Sequence, residues 1–216
     1  MDPVDPVEFV RAHTALGVPP YLPELRLHLA TDAFALWERT EEELGGGVVS
    51  APPFWAFPWA GGQALARHLL DHPELVRDRT VLDLAAGSGL VAIAAARCGA
   101  AGVTANEIDP YAEAAITLNA AANGVTVAVR LGDLLDGPPE ADVVLAGDVF
   151  YSRDMAERVL AFLERARSAG ARVLVGDPGR AYLPRGRLTE ITSYEVPVVH
   201  ALEDAQVKRA TVWRLR

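Results

Sequence analysis

The chain has 216 residues, half of them hydrophobic, a formal net charge of −9 and a single cysteine, Cys98. That length holds one or at most two domains with an ordinary core, and one cysteine cannot form an internal disulfide. The acidic balance argues against a nucleic-acid partner, whose binding runs on clustered Lys and Arg, and no apolar run of roughly eighteen residues offers a membrane span.

The chain opens Met1-Asp2-Pro3-Val4-Asp5, acidic where a secretory signal would be basic, and with the lone cysteine this predicts a cytoplasmic protein. Asp5 is placed to cap a helix over Pro6–Leu16 with Pro6 at its first position. Gly17, Pro19, Pro20 and Pro23 then break it, and the alternation of Leu25–Leu29 reads as a short strand. Thr31 or Asp32 starts a second helix to about Leu44, ended by Gly45-Gly46-Gly47. His13 and His28 lack metal-ligand spacing. Pro52 to Trp59 packs four aromatics and three prolines into eight positions, followed by Gly61, Gly62 and Gln63. Such a segment suits neither helix interior nor central strand. It is a rigid aromatic loop before a helix, Gln63–Leu70. It could be a hydrophobic plug over a sheet or a wall that attracts a cation. The bare backbone of Gly61 and Gly62 and the amide of Gln63 favour a site. His68 and His72 stand at i and i+4, but nothing completes a metal set, so an exposed helix face and no metal are expected.

Thr80 to Gly89 is the stretch around which the rest is organised. Thr80–Leu84 reads as a strand and Leu90–Cys98 as a helix of small and apolar residues, joined by a glycine-rich turn. Glycines there admit a ligand that a Cβ would exclude, and the free N–H groups of the helix start receive polar atoms. Gly87 to Ala92 fits the dinucleotide fingerprint, with Glu107 as its distant acid. Asp83, however, points a carboxylate to where a pyrophosphate would lie. That arrangement favours a cofactor carrying an ammonium and a sulfonium, S-adenosylmethionine, over a dinucleotide.

Beyond the turn, strands and helices alternate. Strands are predicted at Gly102–Asn106, Val125–Arg130, Asp142–Ala146 and Arg172–Gly176, and helices at Tyr111–Asn123 and Arg153–Ala169. Glu107 at a strand end can accept both ribose hydroxyls. Asp109 caps the following helix with Pro110 at its first position. Asp133 can accept from an adenine amino group, with the neighbouring N–H, that of Leu134, on a ring nitrogen. Alternation implies a parallel sheet whose ligands lie beyond the carboxyl ends of the strands. Asp83, Gly87, Glu107, Asp133, Asp148 and Asp177 all fall there. Two closing strands in succession, Leu188–Val196 and Val207–Leu215, suggest an antiparallel edge hairpin.

That pattern resembles the class I methyltransferases. Pro53-Phe54-Trp55-Ala56, Trp59 to Leu65, Val81-Leu82-Asp83-Leu84, Asn106 to Pro110, Gly147 to Tyr151 and Gly176 to Arg180 together resemble the lysine methyltransferases of the electron transfer flavoprotein β-subunit and their bacterial relatives. The resemblance runs from about Tyr21 to the end. It implies an α/β fold: a Rossmann-like seven-stranded sheet of order 3-2-1-4-5-7-6, strand 7 antiparallel and helices on both faces. Residues 1–50 would form an N-terminal helical extension and residues 51–216 the methyltransferase domain. It implies S-adenosylmethionine as cofactor, leaving as S-adenosylhomocysteine, and a bacterial cytoplasmic enzyme. Trp55, Trp59, Gly61, Gln63, Asp83, Ala85, Gly87, Gly89, Glu107, Ile108, Gly132, Asp133, Leu134 and Asp148 are expected at the cofactor. Asp148 and Tyr151, matching a D-x-x-Y/F motif, are expected to be catalytic. The implied partner is a protein substrate, the flavoprotein β-subunit or a ribosomal stalk or stalk-base protein, met by a monomer without nucleic acid or membrane. A nicotinamide-like small-molecule acceptor, or a non-catalytic cofactor-binding protein, stands as the alternative.

Overall fold

The computed structural model describes residues 5–30, 36, 53–198 and 206–216. Helix α1, Pro6–His13, starts as expected: Asp5 Oδ1 accepts from the N–H groups of Val7 (2.8 Å) and Glu8 (3.2 Å). It ends three residues before Leu16. Thr14–Gly17 is instead strand β1, paired antiparallel with β2, Leu27–Ala30. Thr14 is β-branched, its hydroxyl donates to the Val10 carbonyl, and its oxygen lies 3.1 Å from His28 Nδ1. A non-local partner thus overrides a continuous helical pattern. The helix expected between Thr31 and Leu44 lies outside the described residues except for Leu36, which is buried with Phe9, Val10 and Trp55.

Helix α2 is Ala60–Asp71; then come β3 (Thr80–Leu84), α3 (Leu90–Arg97), β4 (Gly102–Glu107), α4 (Pro110–Ala122), β5 (Ala128–Leu131), β6 (Val143–Gly147), α5 (Arg153–Ser168), β7 (Arg172–Asp177), β8 (Leu188–Pro197) and β9 (Val207–Leu215). The large sheet runs β5-β4-β3-β6-β7-β9-β8. Counted from β3, this is the expected order 3-2-1-4-5-7-6. β9 is antiparallel to β7 and β8, while the remaining pairs are parallel.

The strands alternate between two cores, as a pleat of period two requires. Val81, Val103, Val143, Leu145, Leu174 and Val212 pack under α2, α3 and α4. Leu82, Leu84, Val144, Ala146, Val173, Val175 and Trp213 pack under α5. Each fully buried Leu or Val contributes roughly 1.5–3 kcal/mol, which outweighs the weak helix-forming tendency of the glycines discussed next. A third cluster joins α1, the aromatic turn at Phe54–Ala56 and α4.

α2 begins at Ala60, three residues before the expected Gln63, so Gly61 and Gly62 lie in its first turn. Gly61 is needed for contact with the sheet: a Cβ there would meet Gly176 O at 2.3 Å and Asp148 Oδ2 at 2.6 Å. His68 is not on an exposed face. It is buried, its Nδ1 3.1 Å from the Tyr194 hydroxyl of β8, and burial pushes its pKa down. Cys98 is buried, its thiol facing the Leu69 carbonyl and its pKa raised by burial.

Candidate active site

The carboxyl ends of β3, β4 and β6, the loop after β5, the start of α5 and the aromatic turn enclose a cavity of about 520 Å³. Trp55, Trp59, Asp83, Ala85, Gly87, Glu107, Ile108, Asp133, Asp148 and Tyr151 line it, as the sequence led one to expect. Gly61, Gln63, Gly89, Gly132 and Leu134 do not. Gly61 is the contact of α2 with β7 described above. Gln63 is fully buried: its Nε2 donates to Pro58 O (2.7 Å) and its Oε1 accepts from Tyr21 N (3.0 Å), tying the aromatic loop to the N-terminal segment. Gly89 has φ +76°, and a Cβ there would come within 3.1 Å of Ile116; its glycine serves the turn and α4. Gly132 N donates to Glu107 O (2.7 Å), closing β4 onto the loop after β5.

The acids are held by backbone, and two of them by the same device. Neither α2 nor α3 has a side-chain cap from its own N-cap residue. An aspartate from a neighbouring strand end supplies it instead. Asp83 Oδ2 accepts from Ala92 N (2.9 Å) in the first turn of α3. Asp148 Oδ2 accepts from Gly62 N (2.8 Å) in the first turn of α2. Free N–H groups of a first turn attract such carboxylates. Asp148 adopts φ +57° and Ala85 φ +52°, conformations costing non-glycine residues of order 1–3 kcal/mol and found where a side chain must be aimed.

Asp83 is 1% exposed, and burial pushes its pKa up to about 8, with the Ala92 bond opposing and the nearby Glu107 charge adding to the rise. Glu107 accepts from Gly87 N (2.7 Å) and from its neighbour Ile108 N (3.0 Å), and burial raises its pKa too. Among the described residues no cation pairs with either. An ionised carboxylate has about four lone-pair positions, so Glu107 can accept further bonds. Asp133 reaches the cavity, but its oxygens accept from Leu135 N (2.9 Å) and Arg158 Nη1 (2.8 Å), which hold its pKa down. Two asparagines brace the frame, and one of them, Asn106, also lines the cavity. Asn106 Nδ2 donates to Arg130 O and Gly132 O, and Asn119 Nδ2 to Ser88 O (2.9 Å) while its Oδ1 accepts from His28 N (2.7 Å).

At the other end of the cavity Phe54, Trp59 and Tyr151 form an aromatic wall; the Phe54 ring centre is 5.5 Å from that of Tyr151 and 5.8 Å from that of Trp59. Tyr151 is half exposed, and burial raises its phenol pKa, so it stays protonated through neutral pH. Arg180 was not among the expected site residues, although it belongs to the Gly176–Arg180 motif. It lines the cavity and bonds Asp148 Oδ1 from Nη2 (2.7 Å) and Nε (3.2 Å). Asp148 therefore caps the start of α2 and is an ion-pair partner as well. Ser152 stands at the N-cap of α5.

A cavity with unpaired buried carboxylates at one end and an aromatic wall at the other fits a cationic, partly aromatic ligand. S-adenosylmethionine fits such a cavity: Asp83 and the Gly87 turn would take its amino-acid part, Glu107 the ribose, and Ile108 and the loop at Asp133 the base.

A family profile described as ribosomal protein L11 methyltransferase (PrmA) matches residues 64–167. The chain is similar, at 37% identity over 215 residues, covering 96% of this chain and 86% of the relative, to the electron transfer flavoprotein beta subunit lysine methyltransferase of Xenopus laevis. In fold it resembles TrmN from Thermus thermophilus (TM-score 0.52, 23% identity, 70% of this chain and 48% of that one). It likewise resembles the magnesium protoporphyrin IX methyltransferase of Synechocystis PCC 6803 with bound S-adenosylhomocysteine (TM-score 0.50, 14% identity, 70% and 80%). Near-full-length similarity at that identity, on this sheet order and with this cradle, means that the chain belongs to the electron transfer flavoprotein beta subunit lysine methyltransferase family and is an S-adenosylmethionine-dependent methyltransferase.

Proposed function

We propose that this enzyme methylates the side-chain amine of lysine in the electron transfer flavoprotein beta subunit. The similarity over 96% of the chain to a relative named for that substrate carries the reading. The cofactor supplies a methyl group on a positively charged sulfur. Asp83, the Gly87 turn, Glu107, Ile108 and the Asp133 loop would hold it. Trp55, Trp59, Phe54 and Tyr151 receive the aliphatic stem of the lysine, and Asp148 holds the amine in line. Position is the main contribution of such a site. The amine must also lose its proton, which at neutral pH costs roughly 4–5 kcal/mol from a starting pKa near 10.4. Burial in the aromatic wall and a nearby positive charge both lower that cost. Asp148 opposes it by favouring the ammonium, so its part is to aim the amine and pass the proton on.

The profile match to residues 64–167 favours a second reading, in which the acceptor is a ribosomal protein. One experiment separates the two. The enzyme is incubated with radiolabelled S-adenosylmethionine and either purified electron transfer flavoprotein or ribosomal proteins, and the label is mapped by peptide mass. Label on beta-subunit lysines supports the proposal, and label on ribosomal protein alone moves the acceptor. No label on either, with cofactor binding demonstrated, overturns both and directs the search to small amines.

A further inference from the structure

The site already holds a cation. The Arg180 guanidinium is bonded to Asp148 Oδ1, and its Cζ lies 5.4 Å from the centre of the Trp59 ring. A carboxylate beside an indole face is a general receptor for positive charge. The pair is largely removed from solvent, with side chains 21% and 9% exposed for Arg180 and Asp148. The turn that carries Arg180 is fastened independently: Asp177 Oδ1 accepts from Gly179 N (2.6 Å) and Arg180 N (2.7 Å). The guanidinium can therefore swing away while the backbone stays. Its departure alone would take the guanidinium from a largely buried carboxylate, which is costly unless another cation replaces it.

Building on the reading of this cavity as the acceptor site, we propose that Arg180 sets acceptor specificity: its guanidinium fills the Asp148–Trp59 cation site, and an acceptor gains the site by exchanging its own ammonium for it. An uncharged acceptor offers no exchange and is refused. The displaced guanidinium remains a nearby positive charge, which lowers the pKa of the seated amine and favours the form that accepts methyl.

The test needs no methyl transfer and no identified acceptor. Calorimetry measures n-butylammonium, a stand-in for the lysine side chain, binding to the wild type, to Arg180→Met and to Arg180→Met with Asp148→Asn, with n-butanol as the uncharged control. The proposal requires Arg180→Met to bind n-butylammonium about tenfold more tightly than wild type, the gain expected if Arg180 leaves the site open about a tenth of the time. The gain must vanish when Asp148→Asn is added and must not extend to n-butanol. No gain, or an equal gain for n-butanol, overturns it. So does loss of S-adenosylhomocysteine binding in Arg180→Met, which would assign Arg180 to the cofactor.

Arg180→Lys keeps a cation in place should Arg180→Met fold poorly. On incubation with S-adenosylmethionine the new amine nitrogen bonds the methyl carbon as the carbon–sulfur bond breaks, its proton goes to solvent and S-adenosylhomocysteine leaves. The peptide spanning position 180 then gains the mass of one CH2, a methyl standing in place of a hydrogen. An unmodified peptide in a variant that still binds cofactor overturns the proposal. Failure to label the flavoprotein, by contrast, leaves the butylammonium result standing.

Discussion

At the residue scale the electrical state of the buried Asp83 sets a pH dependence. Asp83, raised to about 8, is protonated at neutral pH in the free protein. Its folded pKa lies above the unfolded value of roughly 3.9, so between about pH 4 and 8 the folded state binds more protons than the unfolded one and stability falls as pH rises. Asp177, raised to about 6 by burial with the Asp148 charge adding, contributes in the same direction over the lower part of that window. Urea denaturation should show stability declining from pH 5 to 8, and Asp83→Asn should flatten the decline. A cationic cofactor favours the ionised form, so its binding should release a proton and tighten with pH up to about 8, seen by calorimetry in buffers of different ionisation enthalpy. Asp83→Asn, which keeps an acceptor for Ala92 N, should stay folded yet lose about 10–100-fold in cofactor affinity, the value of a charge-assisted bond. For Asp148 the informative change is likewise to Asn, since Ala would leave both Gly62 N and Arg180 without this carboxylate. Asp148→Asn should lower kcat/KM by about 100-fold or more with cofactor affinity nearly unchanged; equal loss of both would remove Asp148 from the acceptor site.

At the scale of elements, the site depends on how closely α2 lies on the sheet. Gly61 and Gly176 touch backbone to backbone, and the contact aims Asp148, whose N–H donates to Gly176 O (2.9 Å). Gly61→Ala should destabilise by about 1–3 kcal/mol or more through overpacking and should lower turnover by moving Asp148. Gly102→Ala, at the open start of β4 with nothing within 4 Å, should change stability by less than about 0.5 kcal/mol. Chemical denaturation of both variants checks the pair, and equal effects would mean that the close contact is dispensable. The elements themselves were legible in the sequence: β3 and β9 have the expected bounds, and the others shift by a few residues at their ends. The misses share a cause. β1 was hidden because Thr14–Gly17 continues a helical pattern until β2 pairs with it. His68 looked exposed because its partner, Tyr194, is 126 residues away.

At the scale of the whole molecule, a net charge of −9 attracts the positive charge of an acceptor lysine, and salt screens that attraction with a Debye length of about 10 Å at 0.1 M. KM for a protein acceptor should therefore rise severalfold between about 0.02 and 0.3 M salt while kcat holds. A flat KM would place recognition in the buried pocket alone.

The sequence by itself determined the alternation of strand and helix, the terminal hairpin and the acids at the strand ends. Those features are local: periodicity, glycine and cap residues act within one element and its neighbours. Only the tertiary structure decided what each acid does. Asp83 caps the helix after its own strand whereas Asp148 caps one far earlier in the chain, Gly61 and Gly89 serve packing, and Arg180 stands on Asp148. These roles are set by distances between segments as far apart as Gly62 and Asp148, 86 residues in sequence, and a hydrogen bond is decided by angstroms that no pattern of residue types records.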